Sequence, residues 1–164
     1  MTPGALSGLV AARQALLQAL QWGLAADARL LQAWDARLVD WPWSDDGLLQ
    51  ALTRWAGPGR QLQLLAQQYE DLARQHPRFV RWRRDYAHCV LARELEPEVS
   101  LQGAPQALLL IETREAKLSL RLLDSRLWRG EVSLEPGDYR RGREWFDAIA
   151  QRSGESFAPT TLGL

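Results

Sequence analysis

Two apolar runs, Arg29-Leu30-Leu31-Gln32-Ala33-Trp34-Asp35 and Gln61-Leu62-Gln63-Leu64-Leu65-Ala66, bracket a helical segment and decide the fold of this chain. The first predicts a short strand and the second a buried one, because each is a brief apolar run bounded by polar or turn-forming residues. Between them Ser44 is the expected N-cap, and Asp45 and Asp46 suit the positive end of the helix that follows. Leu48, Leu49, Leu52, Trp55 and Ala56 line one face of that helix, and Gly57-Pro58-Gly59 ends it. Strand, helix, strand at this spacing describes a right-handed βαβ unit with parallel strands.

Working outward, a second helical region runs from Tyr69 to Tyr86 and restarts at Pro77, a residue suited to a first helical turn. Ala87 to Arg93 is a third strand candidate, which places His88 in a strand and Cys89 on the opposite sheet face. Beyond an acidic loop, Glu94 to Pro105, come three more: Ala107 to Glu112, Lys117 to Leu123 with period-two alternation, and Leu127 to Leu134. They read as an antiparallel meander. Pro136-Gly137-Asp138 opens a last helix with Trp145, Phe146 and Ile149 inward, and the uncharged tail Phe157 to Leu164 is long enough to lie against the body. At the other end Ala5 to Asp27 reads as one amphipathic helix. The expected organisation is therefore residues 1–27 as an N-terminal helix packing on the body and residues 28–164 as a single α/β domain. That domain has a mixed β-sheet, parallel βαβ units first and antiparallel strands last, flanked by helices.

The bulk chemistry narrows the function classes. Twenty basic side chains balance twenty acidic ones over 164 residues, so attraction to nucleic acid or to an anionic membrane has to be local. Lys117 is the only lysine, and the lone Cys89 excludes an intramolecular disulfide and a cysteine-based zinc site. No apolar run reaches the ~18 residues that span a bilayer. No leader pattern opens the chain, so the expected location is cytoplasmic.

The local excess sits in His76-Pro77-Arg78-Phe79-Val80-Arg81-Trp82-Arg83-Arg84-Asp85-Tyr86. On a helix begun at Pro77, Phe79, Trp82 and Tyr86 share one face, while Arg78, Arg81 and Arg84, with Arg74 a turn earlier, share another. Two readings stand side by side: a solvated charged face over an aromatic core, or a surface for an anion or a partner. A second candidate is the loop carrying Asp35, Asp40, Trp41 and Trp43, with Gln67 and Tyr69 leaving the neighbouring strand. Ligands of open α/β sheets bind beyond the carboxyl ends of the parallel strands, where these two segments emerge. The alternative is that the tryptophans pin the loop to the core while Asp45 and Asp46 serve the helix. No complete nucleophile, phosphate-loop or metal-ligand motif is present, so no cofactor and no metal are expected.

The order of elements, with the motifs Leu64-Leu65-Ala66, His76 to Arg84, Trp128-Arg129-Gly130 and Thr160-Thr161-Leu162-Gly163-Leu164, resembles a bacterial protein family of unknown function. More distantly it resembles one half of the phospholipase D-like fold. Active members of that superfamily carry His-x-Lys-x4-Asp, with histidine as nucleophile and lysine stabilising the phosphoryl charge. Here Glu115 and Lys117 occupy the first two positions and Leu122 the last. The resemblance thus implies the scaffold without the phosphodiesterase chemistry. The expected function is a non-catalytic, bacterial cytoplasmic module that binds a protein partner or a second copy of itself, a possible homodimer. The alternative is binding of an anionic ligand or nucleic acid through Arg74, Arg78, Arg81 and Arg84. A hydrolase working in the Asp35, Asp40 and Tyr69 cleft comes third, and no membrane partner is expected.

Overall fold

The computed structural model describes residues 1–124 and 126–159. The Thr160 to Leu164 motif lies outside them. One mixed eight-stranded sheet runs through the chain in the order β1-β7-β6-β5-β2-β3-β4-β8. Its centre is the pair anticipated from sequence, β2 (Leu30–Asp35) and β3 (Gln61–Ala66), parallel and joined through helix α2 (Asp46–Trp55). Strand β4 (Val90–Leu95) continues the parallel set beyond α3 (Glu70–Gln75) and α4 (Pro77–Asp85). The meander of β5 (Ala107–Glu112), β6 (Lys117–Asp124) and β7 (Arg129–Ser133) joins it by pairing β5 antiparallel to β2.

The two faces are covered unequally. Helix α1 (Leu9–Ala25), α2 and the α3–α4 pair cover one of them, closing a large core that includes Leu16, Leu20, Leu31, Leu64 and Leu109. The other is served by the single helix α5 (Pro136–Ala150), over a smaller cluster of Trp34, Leu65, Leu108, Leu110, Tyr139 and Phe146. Both helices touch β5 at glycines. A Cβ at Gly23 would meet Ile111 at 2.7 Å, and one at Gly142 would meet Leu110 at 2.8 Å. Small residues there let the helices approach the sheet closely.

Several local expectations change. The first segment is not helical throughout: Gly4–Leu6 form β1 on β7, and α1 starts only after Gly8. The N-cap of α2 is Asp45, whose carboxylate accepts from Leu48 N at 2.9 Å, and Ser44 is released for another partner. Ala87–Cys89 is a 3-10 turn instead of the start of a strand, so His88 is exposed at a corner; Cys89 is buried. Ser153–Glu155 add the edge strand β8 beside β4. Among the described residues no helix is long and apolar enough to cross a membrane.

Candidate functional site

Beyond the carboxyl ends of β2 and β3 the structure builds a filled corner. Trp41 and Trp43 are 2% and 0% exposed. Their rings stack at 5.6 Å, and the column continues through Phe79 at 4.4 Å, Trp82 at 5.7 Å and Tyr86 at 5.6 Å. The tryptophan loop and the aromatic face of α4 are thus one stack of five rings. Trp43 Nε1 donates to Leu38 O at 2.9 Å and Trp41 Nε1 to Asp35 Oδ2 at 3.1 Å, so both indoles are anchored at their polar ends. The tryptophans fill the space that a cleft would have needed.

The polar candidates sit around that stack. Burial pushes the Asp35 carboxyl up to about 6, against the Trp41 hydrogen bond, which favours the charged form; neighbouring Asp40 adds to the rise. Asp40 itself is half-buried and paired with Arg13 at 3.0 Å. Gln67 bonds through its backbone, N–H to Ala36 O at 2.9 Å, and leaves its side chain in solvent. Tyr69 is buried: its hydroxyl donates to Arg93 O at 2.7 Å, and burial raises its pKa far above the ordinary range. Tyr69 is therefore buried and Asp35 half-buried, both held by structural hydrogen bonds, while Asp40 is half-buried and paired with Arg13 and Gln67 faces water. They do not converge on an open cavity.

The arginine stripe is exposed and largely neutralised. Arg78 pairs with Asp46, Arg74 lies 3.7 Å from Asp71, and Arg84 lies 3.6 Å from Asp85. Asp71 is also held by the Gln68 amide and by Arg37, which keep its carboxyl below the usual carboxylate range. Only Arg81 makes no ion pair among the described residues. It shares with Arg78, Trp82 and Tyr86 a shallow groove of about 260 Å³ between α2 and α4.

Three arrangements have no counterpart in the sequence reading. Arg83, in the same arginine block, is 6% exposed, donates to Phe157 O at 3.3 Å and lies over the Phe157 ring, which stacks on Tyr69. Its arginine neighbours gave no sign that this one points inward. His76 Nε2 faces Val39 O at 2.7 Å, and since a carbonyl only accepts, the ring proton sits on Nε2. Nδ1 then accepts from the Ser44 hydroxyl. This is a serine–histidine contact, yet a backbone carbonyl orients the imidazole where a general base has a carboxylate. The third is a row of side chains on the α5 face: Gln63 donates to Gln61, and Gln32 donates both to Gln63 at 2.8 Å and to Asp147 at 3.0 Å. Among the described residues no group of three or more histidine, cysteine or acidic side chains is arranged to hold a metal.

No protein-family model matches the chain, and no curated protein matches it. Among solved structures the fold is similar to that of TrmBL2, an archaeal chromatin protein, with a TM-score of 0.58 and 10% identity. The match covers 95% of this chain and 54% of that one, so this chain spans about half the length of the TrmBL2 chain. At such identity the likeness concerns the fold alone.

Proposed function

We propose that the chain is a non-catalytic cytoplasmic binding module, on a scaffold resembling one half of the phospholipase D-like fold, and that its partner is a second copy of itself. The observation that carries this reading is the corner where β1 closes one end of the sheet. Val10, Leu123 and Leu127 are 71%, 60% and 52% exposed there, unusually open for large apolar side chains. The Gly8 N to Leu127 O hydrogen bond of 3.0 Å holds the start of α1, which carries Val10, against the β6–β7 turn, which carries Leu127.

The free edge of β1 borders the same corner, and no ionisable side chain precedes Arg13. Edge strands are ordinarily guarded by shortness, charge, proline or a bulge, and β1 has only its three-residue length. An uncharged edge beside an apolar patch is self-complementary, because a two-fold axis sets the same surface against itself. Around it Asp124 and Arg129 supply both signs of charge for a polar rim. Sedimentation velocity should show a dimer at tens of micromolar protein. Val10→Glu with Leu127→Glu should weaken association by about 30-fold or more while leaving the circular dichroism unchanged. A wild-type protein that stays monomeric at millimolar concentration would remove this reading.

A second reading, binding of nucleic acid through α4, is favoured by two observations. TrmBL2 is described as showing a novel mode of DNA binding, and Arg81, without an ion pair among the described residues, lies beside Arg78 in a groove. The pairing of Arg74, Arg78 and Arg84 with aspartates places it second. If it holds, log affinity falls linearly with log salt, and Arg78→Ala with Arg81→Ala reduces the slope by about 2. Absent or salt-independent binding to duplex and single-stranded probes excludes it.

A further inference from the structure

Because one helix serves the second sheet face, part of that face stays open, and beside α5 it forms a groove of about 440 Å³ over β3 and β4. This is the size of a small-ligand site. Its apolar surface is offered by the half-buried Leu91 and Ala150, backed by the buried Leu65 and Phe146, and two opposite charges line it from different elements: Asp147 from α5 and Arg93 from β4.

Neither charge is satisfied by the other, since they form no ion pair. Arg93 spends Nε on Ser153 Oγ at 2.7 Å and Nη2 on Ser153 O at 2.8 Å, and Nη1 makes no hydrogen bond among the described residues. Glu155, its register partner on β8, is exposed and forms no ion pair with it. Asp147 accepts from Gln32 Nε2 at 3.0 Å and forms an i,i+4 ion pair with Arg143 Nε at 3.2 Å, with its side chain still 46% exposed. Gln32 is itself 1% exposed, and its Oε1 has no partner among the described residues. The bonds from Gln32 link Asp147 to the Gln63 side chain on the neighbouring strand and fix that carboxylate at the edge of the groove.

We propose that this groove binds a small zwitterion with an apolar body, either an apolar α-amino acid or a short peptide with the same end groups. Its carboxylate meets the uncommitted Nη1 of Arg93, its ammonium meets Asp147, and its side chain lies on Leu91 and Ala150. Charge-assisted hydrogen bonds at both ends give the selectivity, and the floor supplies the apolar contact. This surface is remote in sequence from the Val10 and Leu127 corner, and its test does not depend on association.

Calorimetric titration with L-leucine and with the dipeptide Leu-Leu tests it, using leucinamide and 4-methylpentanoate as probes that each lack one charge. Binding of leucine or Leu-Leu is expected, the tighter of the two identifying the source. Each half-charged probe should bind at least about tenfold more weakly. Asp147→Asn keeps an acceptor for Gln32 but removes the charge, and should cost the same factor. Ala150→Phe, which fills the groove from the end of α5, should abolish binding and decides the matter if Asp147→Asn does not fold. No heat from leucine or Leu-Leu up to about 10 mM overturns the proposal. So does leucinamide or 4-methylpentanoate binding as tightly as its parent, or undiminished binding by a folded Ala150→Phe protein.

Discussion

Replacing Gly130 by alanine is expected to lower stability by about 3 kcal/mol or more. Gly130 sits in β7 opposite Leu122, where the β6–β7 pairing shifts register between Leu122 and Asp124. A Cβ there would run into the Arg121 carbonyl, with the Leu122 Cα at 3.0 Å behind it. Both obstacles are backbone, so no rotamer change relieves the clash. Strand β7 has little room to retreat, because β6 and β1 pair with its two edges. For a chain of this size the loss corresponds to a fall in melting temperature of roughly 6–12 °C. Gly154→Ala is the matched control: nothing lies within 4 Å of its added Cβ, and its effect should stay within about 0.5 kcal/mol. Thermal unfolding followed by tryptophan fluorescence measures both, and equal melting temperatures would mean that the β6–β7 ladder adjusts freely.

Asp35→Asn should act in the opposite direction, and only above a definite pH. Burial moves the Asp35 carboxyl from 3.8 to about 6, so ionising it inside the fold costs about 3 kcal/mol at neutral pH. A group whose pKa is raised on folding stabilises the native state where it is protonated. That contribution is complete below about pH 4 and is lost as the pH rises through about 6. Asparagine stays neutral and still accepts from Trp41 Nε1. The variant should therefore match the wild type near pH 4 and exceed it by up to about 3 kcal/mol at pH 7. Asp71, Asp124 and Asp138 have depressed pKa values and work the other way, stabilising above the ordinary carboxylate pKa and losing that contribution on acidification. Their window lies below that of Asp35, so urea denaturation between pH 4 and 8 isolates the single group. A variant less stable at every pH would show that the ionised carboxylate is required by the fold.

The Asp35 result also bears on the hydrolase reading. A perturbed carboxylate is the usual mark of an acid–base catalyst, yet here the perturbation arises from the tryptophans that close the site. The aspartate is raised by burial in a corner packed with aromatic rings, and among the described residues no open cavity lies beside it for a substrate.

The parallel core was legible because its signals are local. Leu30 to Asp35 and Gln61 to Ala66 are short apolar runs, Asp45 and Asp46 stand where a helix N-terminus needs negative charge, and Pro77 restarts a helix as its fixed φ requires. The aromatic face of α4 followed from spacing alone, and so did the exposure of Arg74, Arg78, Arg81 and Arg84. The state of those arginines did not follow, because Asp46, which pairs with Arg78, is 32 residues away. Trp41 and Trp43 offered two readings until Phe79 arrived from another helix to stack on them.

Periodicity along the chain thus marked the core helices and strands and the faces they turn inward, since each depends on neighbours within a turn or two, but it misplaced the start of the first helix and took the 3-10 turn Ala87–Cys89 for strand. Tertiary structure alone decided the rest. Strands β1 and β8 are three residues long and carry too little pattern to be read; they exist because β7 and β4 offer unpaired edges. The Ser44–His76 contact and the Gln32–Asp147 bond span 32 and 115 residues, and no local spacing encodes either. Sites assembled across a sheet belong to the pairing order of its strands, and that order is settled by competition for burial over the whole domain.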